Sequence, residues 1–70
     1  MSVMVMSVMV NGKPEPLPEP PVLRALVQRL ALQPPFALAR NGEFVPRDQY
    51  AECGLHPGDE IEIVHPAAGG

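Results

Sequence analysis

One cysteine, one lysine and no cluster of basic residues are the first constraints this 70-residue chain sets on its own function. Cys53 has no second cysteine to pair with, so an internal disulfide is excluded. Together with His56 and His65 it supplies too few ligands, at no familiar interval, for a zinc site. Cys53 and His56 lack a third group to orient them, so a thiol–imidazole catalytic pair is not supported, and Cys53 reads as a small residue of the core or its rim. His65 reads as packing at the end of a strand. Five basic against eight acidic residues give a net charge of −3. Nothing in that balance tracks a phosphate backbone, which argues against nucleic acid, and a mildly acidic surface suits a basic protein partner better. The apolar segment Met1 to Val10 has no basic start, is too short to span a bilayer and runs into a turn and a proline-rich acidic stretch. A reduced, cytoplasmic protein is expected.

Seventy residues make one small domain near the lower size limit for a single core, too small for a large catalytic cleft. Its stability must come from packing and from ten prolines that stiffen the unfolded chain. The first ten residues are an exact repeat, Met1-Ser2-Val3-Met4-Val5 followed by Met6-Ser7-Val8-Met9-Val10. Strand side chains alternate with period two, so a five-residue unit inverts its parity and both copies cannot turn their valines into one core. The second copy abuts Asn11-Gly12, a hairpin signal, so Met6 to Val10 is expected to be the first strand. Residues 1–5 then form an N-terminal extension, residues 6–65 the folded domain and residues 66–70 a flexible tail.

Lys13 to Leu17 reads as a second strand, confined to a sheet edge by Pro14 and Pro16. Glu19-Pro20-Pro21 is expected to open a helix, with an acid near the positive end of its dipole and proline in its first turn. Val22, Leu23, Leu26, Val27 and Leu30 form its apolar stripe, and Pro34-Pro35 ends it. Phe36 to Arg40 reads as a third strand, turned by Asn41-Gly42 into Glu43-Phe44-Val45. Arg47 to Tyr50 reads as a single helical turn, and His56-Pro57-Gly58-Asp59 as a turn by composition. The last strand, Glu60 to His65, sets Ile61 and Ile63 against Glu60, Glu62 and Val64. The order is ββαββ-turn-β. It predicts an α+β fold of the ubiquitin-like β-grasp type, a mixed sheet of four to five strands packed on one helix, with the last strand parallel to the first and the tail leaving from the sheet's rim.

After that strand the sequence finishes in Gly69-Gly70, a slim stretch of backbone able to thread into another protein's active site and present a bare carboxylate. At an average glycine usage of about 7%, a chance terminal pair occurs in roughly 0.5% of chains, so the pair is suggestive only in context. Met9, Ala37, Ala39 and Val64 are expected to share the sheet face away from the helix, edged by Glu60 and Glu62, as a docking surface for a partner. Arg40 and Arg47 are candidates for salt bridges to that partner.

The residues Val8-Met9-Val10-Asn11-Gly12, Arg40-Asn41-Gly42-Glu43-Phe44-Val45-Pro46-Arg47, Tyr50-Ala51-Glu52 and Gly58-Asp59-Glu60-Ile61-Glu62-Ile63-Val64, with Gly69-Gly70, together resemble the ThiS family of sulfur carrier proteins of thiamine biosynthesis. The resemblance runs from Met6 to Gly70. It departs from the family pattern in Pro20-Pro21-Val22, where threonine-valine commonly leads the helix, in Tyr50, where tryptophan is frequent, and in Pro66-Ala67-Ala68.

The resemblance implies a co-substrate with no turnover of its own. A C-terminal carboxylate, with a reference pKa of about 3.3–3.7, is ionised and a poor electrophile. An adenylating enzyme of the ubiquitin-activation type (ThiF-like), using ATP and magnesium, would activate Gly70 as an acyl-adenylate. Gly69 and Ala68 would thread the tail into that enzyme. Sulfide from a persulfide donor would then leave a thiocarboxylate that passes sulfur to thiazole synthase (ThiG-like). No cofactor or metal would be bound by the chain itself. Two alternatives share the tail. One is another ubiquitin-like sulfur carrier, such as the small subunit of molybdopterin synthase or a transfer-RNA thiolation carrier. The other is a protein modifier joined to lysine, for which Lys13 would be the one side-chain attachment point on this chain.

Overall fold

The computed structural model describes residues 6–66. Residues 1–5 and 67–70, which include the expected extension and most of the tail, lie outside the described residues. Strands β1 (Ser7–Val10) and β2 (Lys13–Pro16) are followed by helix α1 (Leu23–Leu30), strands β3 (Ala37–Arg40) and β4 (Glu43–Val45), a 3-10 turn (Arg47–Gln49) and strand β5 (Glu60–Val64). The five strands form one mixed sheet in the order β2-β1-β5-β3-β4. The last strand is central, parallel to β1 and antiparallel to β3, the β-grasp arrangement that the order of elements predicts.

Both hairpins close through Asn-Gly. Asn11 and Gly12 have φ of 49° and 84°, Asn41 and Gly42 φ of 51° and 86°. Left-handed backbone at both central positions defines the I′ turn whose twist matches the flanking strands. The first turn makes Val10–Lys13 the closing hydrogen-bonded pair, so Pro14, opposite Met9, and Pro16, opposite Ser7, fall at alternate positions whose missing N–H faces the open edge. Prolines at those sites cost no ladder bond and blunt the edge against pairing with other chains.

Period two then sorts the side chains. Val8 and Val10 of β1, Leu38 of β3, Val45 of β4 and Ile61 of β5 are buried on one face, where Leu23 and Leu26 of α1 and Leu55 complete the core. At about 1.5–3 kcal/mol for each large aliphatic side chain taken from water, this cluster is the main stabilising contribution. Cys53 packs half-buried at its margin, in keeping with the rim position expected of it.

The helix differs from expectation at both ends. It begins at Leu23, its first turn carries no acidic residue, and no side chain caps it. Val22 is extended and bridges Gly54, while the Leu23 N–H donates to Cys53 O at 2.9 Å and the Arg24 N–H to Tyr50 O at 3.0 Å. Helix N–H groups that normally need a capping oxygen are thus satisfied by the backbone of the 50–53 loop, and Glu19 has no capping work to do. The helix stops at Leu30, four residues before Pro34, because Ala31 adopts the left-handed conformation with φ 52°. Its N–H and that of Leu32 return to Gln28 O and Val27 O, the Schellman pattern. β3 begins one residue later and β5 ends one residue earlier than the alternation suggests. Among the described residues no helix is long and apolar enough to cross a membrane.

Candidate functional site

Cross-strand partners share a face of a sheet, so register decides which residues form the surface opposite the helix. Met9 lies opposite Glu60, Ala39 opposite Glu62 and Ala37 opposite Val64. All six residues expected on the outer face therefore stand there, alternating with the buried Val8, Val10, Leu38 and Ile61. The register adds Phe44, opposite Ala39 on β4. Phe44 is 68% and Val64 56% exposed, large apolar side chains flanking two alanines with Glu62 beside them. Phe44 escaped the sequence reading, although the Asn41-Gly42 turn contained the signal. A two-residue turn puts Arg40 opposite Glu43, which places Ala39 opposite Phe44.

Arg40, by the same alternation, falls on the core side. It is half-buried, donates from Nη1 to Gly54 O at 2.8 Å and approaches Asp59 Oδ2 at 4.0 Å. Its guanidinium is engaged within the chain. Arg47, on the 3-10 turn, is exposed.

The exit of β5 is the second part of the site. Val64 makes the last pair with β3, after which His65 sets its ring edge-on to Phe36, with centroids 6.3 Å apart, and Phe36 in turn stacks on Tyr50. Burial pushes the Tyr50 hydroxyl pKa above its ordinary value despite the opposing pull of Arg47. The chain thus leaves the sheet between the outer apolar face and an aromatic cluster on the helix side. Gly70, Gly69 and Ala68 lie outside the described residues. His56 is brought to Asp59, with Nδ1 3.8 Å from Oδ2. No group of three His, Cys, Asp or Glu suited to a metal occurs among the described residues.

This arrangement offers an apolar patch with an acidic margin and a strand end pointing past it.

No curated protein matches the chain. Among solved structures it is similar to the thiamine biosynthesis protein ThiS from Geobacter metallireducens, with 25% identity and a TM-score of 0.74 over 93% of this chain and 100% of that one. The ThiS family matches residues 8–70, so its pattern spans both hairpins, the helix, the central strand and the tail. The chain belongs to the ThiS family.

Proposed function

We propose that this protein is a sulfur carrier for thiamine (thiazole) biosynthesis and that its reactive group is the Gly70 carboxylate. The observation that carries this reading is the family match reaching residue 70, on a fold whose central strand ends at Val64 on an exposed apolar face. The carboxylate oxygen attacks the α-phosphorus of ATP in the adenylating partner and displaces pyrophosphate. The outer sulfur of a persulfide donor attacks the acyl carbon and AMP leaves. A thiol then cleaves the S–S bond of the resulting acyl disulfide, forming a disulfide with the donor's sulfur, and a thiocarboxylate remains for thiazole synthase. The ATP and magnesium belong to the partner, and the chain acts as its co-substrate. Ala68 and Gly69 carry no more than a methyl group, which suits a narrow channel. Met9, Ala37, Ala39, Phe44 and Val64, with Glu60 and Glu62 at the margin, form the surface on which the partner docks.

Intact mass tests the reading after incubation with a ThiF-like enzyme, ATP, magnesium and a persulfide source, beside a Gly70-deleted control. Oxidation of any of four methionines nearly mimics exchange of oxygen for sulfur, so the product is confirmed by thiol alkylation mapped to the C-terminal peptide, apart from Cys53. An ATP-dependent, alkylatable chain end that vanishes without Gly70 is expected. No change with an enzyme active on another carrier would overturn the proposal. Transfer of the sulfur to a different acceptor would point to another carrier pathway, and lysine adducts to a modifier.

A further inference from the structure

Asn11 continues a ladder that its own strand has abandoned. β1 pairs with β5 as far as Val10, opposite Ile61, and then reverses at Asn11-Gly12. Up to that point backbone joins backbone, with the Met9 N–H donating to Asp59 O at 2.8 Å and the Asn11 N–H to Ile61 O at 2.9 Å. The next β5 groups facing this side are the N–H and C=O of Ile63. Both are taken by the Asn11 side chain, whose Oδ1 accepts the Ile63 N–H at 2.8 Å and whose Nδ2 donates to Ile63 O at 3.3 Å. A carboxamide has the donor and acceptor of a peptide group, so the side chain serves as one further rung of a parallel sheet. On the other side of β5 the last pair is Ala37–Val64. Within the sheet the two final grips on the chain are therefore Asn11 on Ile63 and Ala37 on Val64.

The second Asn-Gly turn supplies a comparison within the same molecule. Asn41 holds the opposite end of β5, where its Oδ1 accepts the Glu60 N–H at 2.9 Å and its backbone N–H donates to Glu60 O at 2.7 Å. The two asparagines share turn type, positive φ and attachment to β5, but only Asn11 acts at the end that leads into the tail.

We infer that Asn11 is a positioning residue, whose carboxamide fixes Ile63 and so sets the point at which β5 becomes the donor arm. The inference rests on the carrier reading above. With the strand fixed to Val64 and the His65 ring set against Phe36, the arm is residues 66–70, which reach at most about 18 Å when extended. Without the carboxamide the grip on the β1 side ends at Ile61. Two more residues, about 7 Å of chain, are then held from one side only. Their added freedom must be removed when a partner takes the arm, before any bond is made. The effect therefore falls on KM for the carrier and leaves kcat alone.

Asn11→Gly and Asn41→Gly test this, because glycine keeps the left-handed turn while removing the carboxamide. Asn11→Asp keeps an acceptor for the Ile63 N–H, loses the donor to Ile63 O, and provides a second variant should the first fail to fold. Amide hydrogen exchange in the free proteins and ATP–pyrophosphate exchange by the adenylating enzyme are the two readouts. In Asn11→Gly the Ile63 amide is expected to exchange at least about tenfold faster. Its KM should rise about tenfold, with kcat within about twofold. Asn41→Gly should instead speed exchange at Glu60 and leave KM within about twofold, and Asn11→Asp should lie between. Unchanged protection of Ile63 in Asn11→Gly, or an equal rise in KM for both glycine variants, would overturn the inference. Wild-type carrier that supports no pyrophosphate exchange, with an enzyme active on another carrier, would overturn the carrier reading and the arm-setting role with it. The exchange contrast between Ile63 and Glu60 would still stand as a separate result.

Discussion

Asn41 Nδ2 donates to Asp59 Oδ1 at 3.1 Å, and this contact ties the β3–β4 turn to the loop that feeds the central strand. Asp59 Oδ2 accepts the backbone N–H of His56 at 2.9 Å, and Arg40 Nη1 lies 4.0 Å away while also holding Gly54 O. One carboxylate thus organises both the 56–59 turn and the rim of the core. Burial alone would push the Asp59 pKa up, but the His56 N–H, the Asn41 amide and the Arg40 charge outweigh it and hold the carboxyl below its ordinary value. A group whose folded pKa is depressed stabilises the fold above its unfolded pKa, and that contribution is lost as pH falls through the folded value.

Asp59→Asn is therefore expected to flatten the loss of stability on acidification below about pH 4, as read from urea midpoints. At neutral pH Asp59→Ala should cost about 1–3 kcal/mol, because the side chain is only 13% exposed and three donors or charges lose their acceptor. A pH dependence identical to wild type in the asparagine variant would remove Asp59 from this role.

Phe44→Ala separates docking from folding. A side chain 68% exposed on the outer face contributes little to the fold, so stability should change by no more than about 0.5 kcal/mol. Binding to the adenylating partner should weaken by at least about 1 kcal/mol, near fivefold in Kd, if Phe44 is an anchor of the interface. Urea unfolding of variant and wild type reads the first effect and titration calorimetry the second, and unaltered affinity would take Phe44 out of the docking surface.

Leu26→Ala addresses the core. Leu26 is 1% exposed and sits in the cluster with Leu23, Val8, Leu38 and Ile61. Its truncation should cost about 2–5 kcal/mol. A domain of this size commonly has only about 3–5 kcal/mol to lose. A largely unfolded chain at 37 °C, seen as collapsed amide dispersion, is the expected outcome.

The parts of this fold that could be read from sequence are those in which a local rule and the global packing agree. Asn11-Gly12 and Asn41-Gly42 fixed two hairpins, and Ile61 and Ile63 against Glu60 and Glu62 fixed the faces of β5. The parity of the Met1–Val10 repeat admits only one copy to the core, and the adjoining Asn11-Gly12 turn selects Val8 and Val10, which the core contains. The outer face followed from the same alternation. Long-range partners stayed hidden. No spacing rule says that carbonyls of Cys53 and Tyr50 will receive the first helix N–H groups, and so the helix start was placed too early. Nor does an Asn-Gly pair, read as a turn, announce that its side chain will bond Ile63, 52 residues on. Those contacts depend on which strand the topology lays beside the turn, a fact of the assembled sheet.

The end of α1 gives the last prediction. Ala31 occupies the left-handed position of the Schellman motif, φ 52° and ψ 46°, where glycine is the usual residue. There the Cβ of an L-residue crowds the following carbonyl at a cost of about 1–2 kcal/mol. Glycine removes that strain but loses about 0.5–1 kcal/mol through the greater freedom of the unfolded chain. Ala31 is exposed and gives up no core contact on truncation, while its N–H bond to Gln28 O and that of Leu32 to Val27 O are backbone and persist. Strain relief therefore exceeds the entropic loss, and Ala31→Gly should stabilise the domain by about 0.5–1 kcal/mol. For a domain of this length the melting temperature would rise by roughly 2–8 °C. The same substitution at Ala25, inside the helix, should lower stability by about 1 kcal/mol, because there glycine gains no relief and sacrifices helix propensity. A pair of thermal melts shifting in opposite directions would establish that the backbone conformation of Ala31, and not a general effect of glycine, sets the helix end, whereas destabilisation at both positions would refute it.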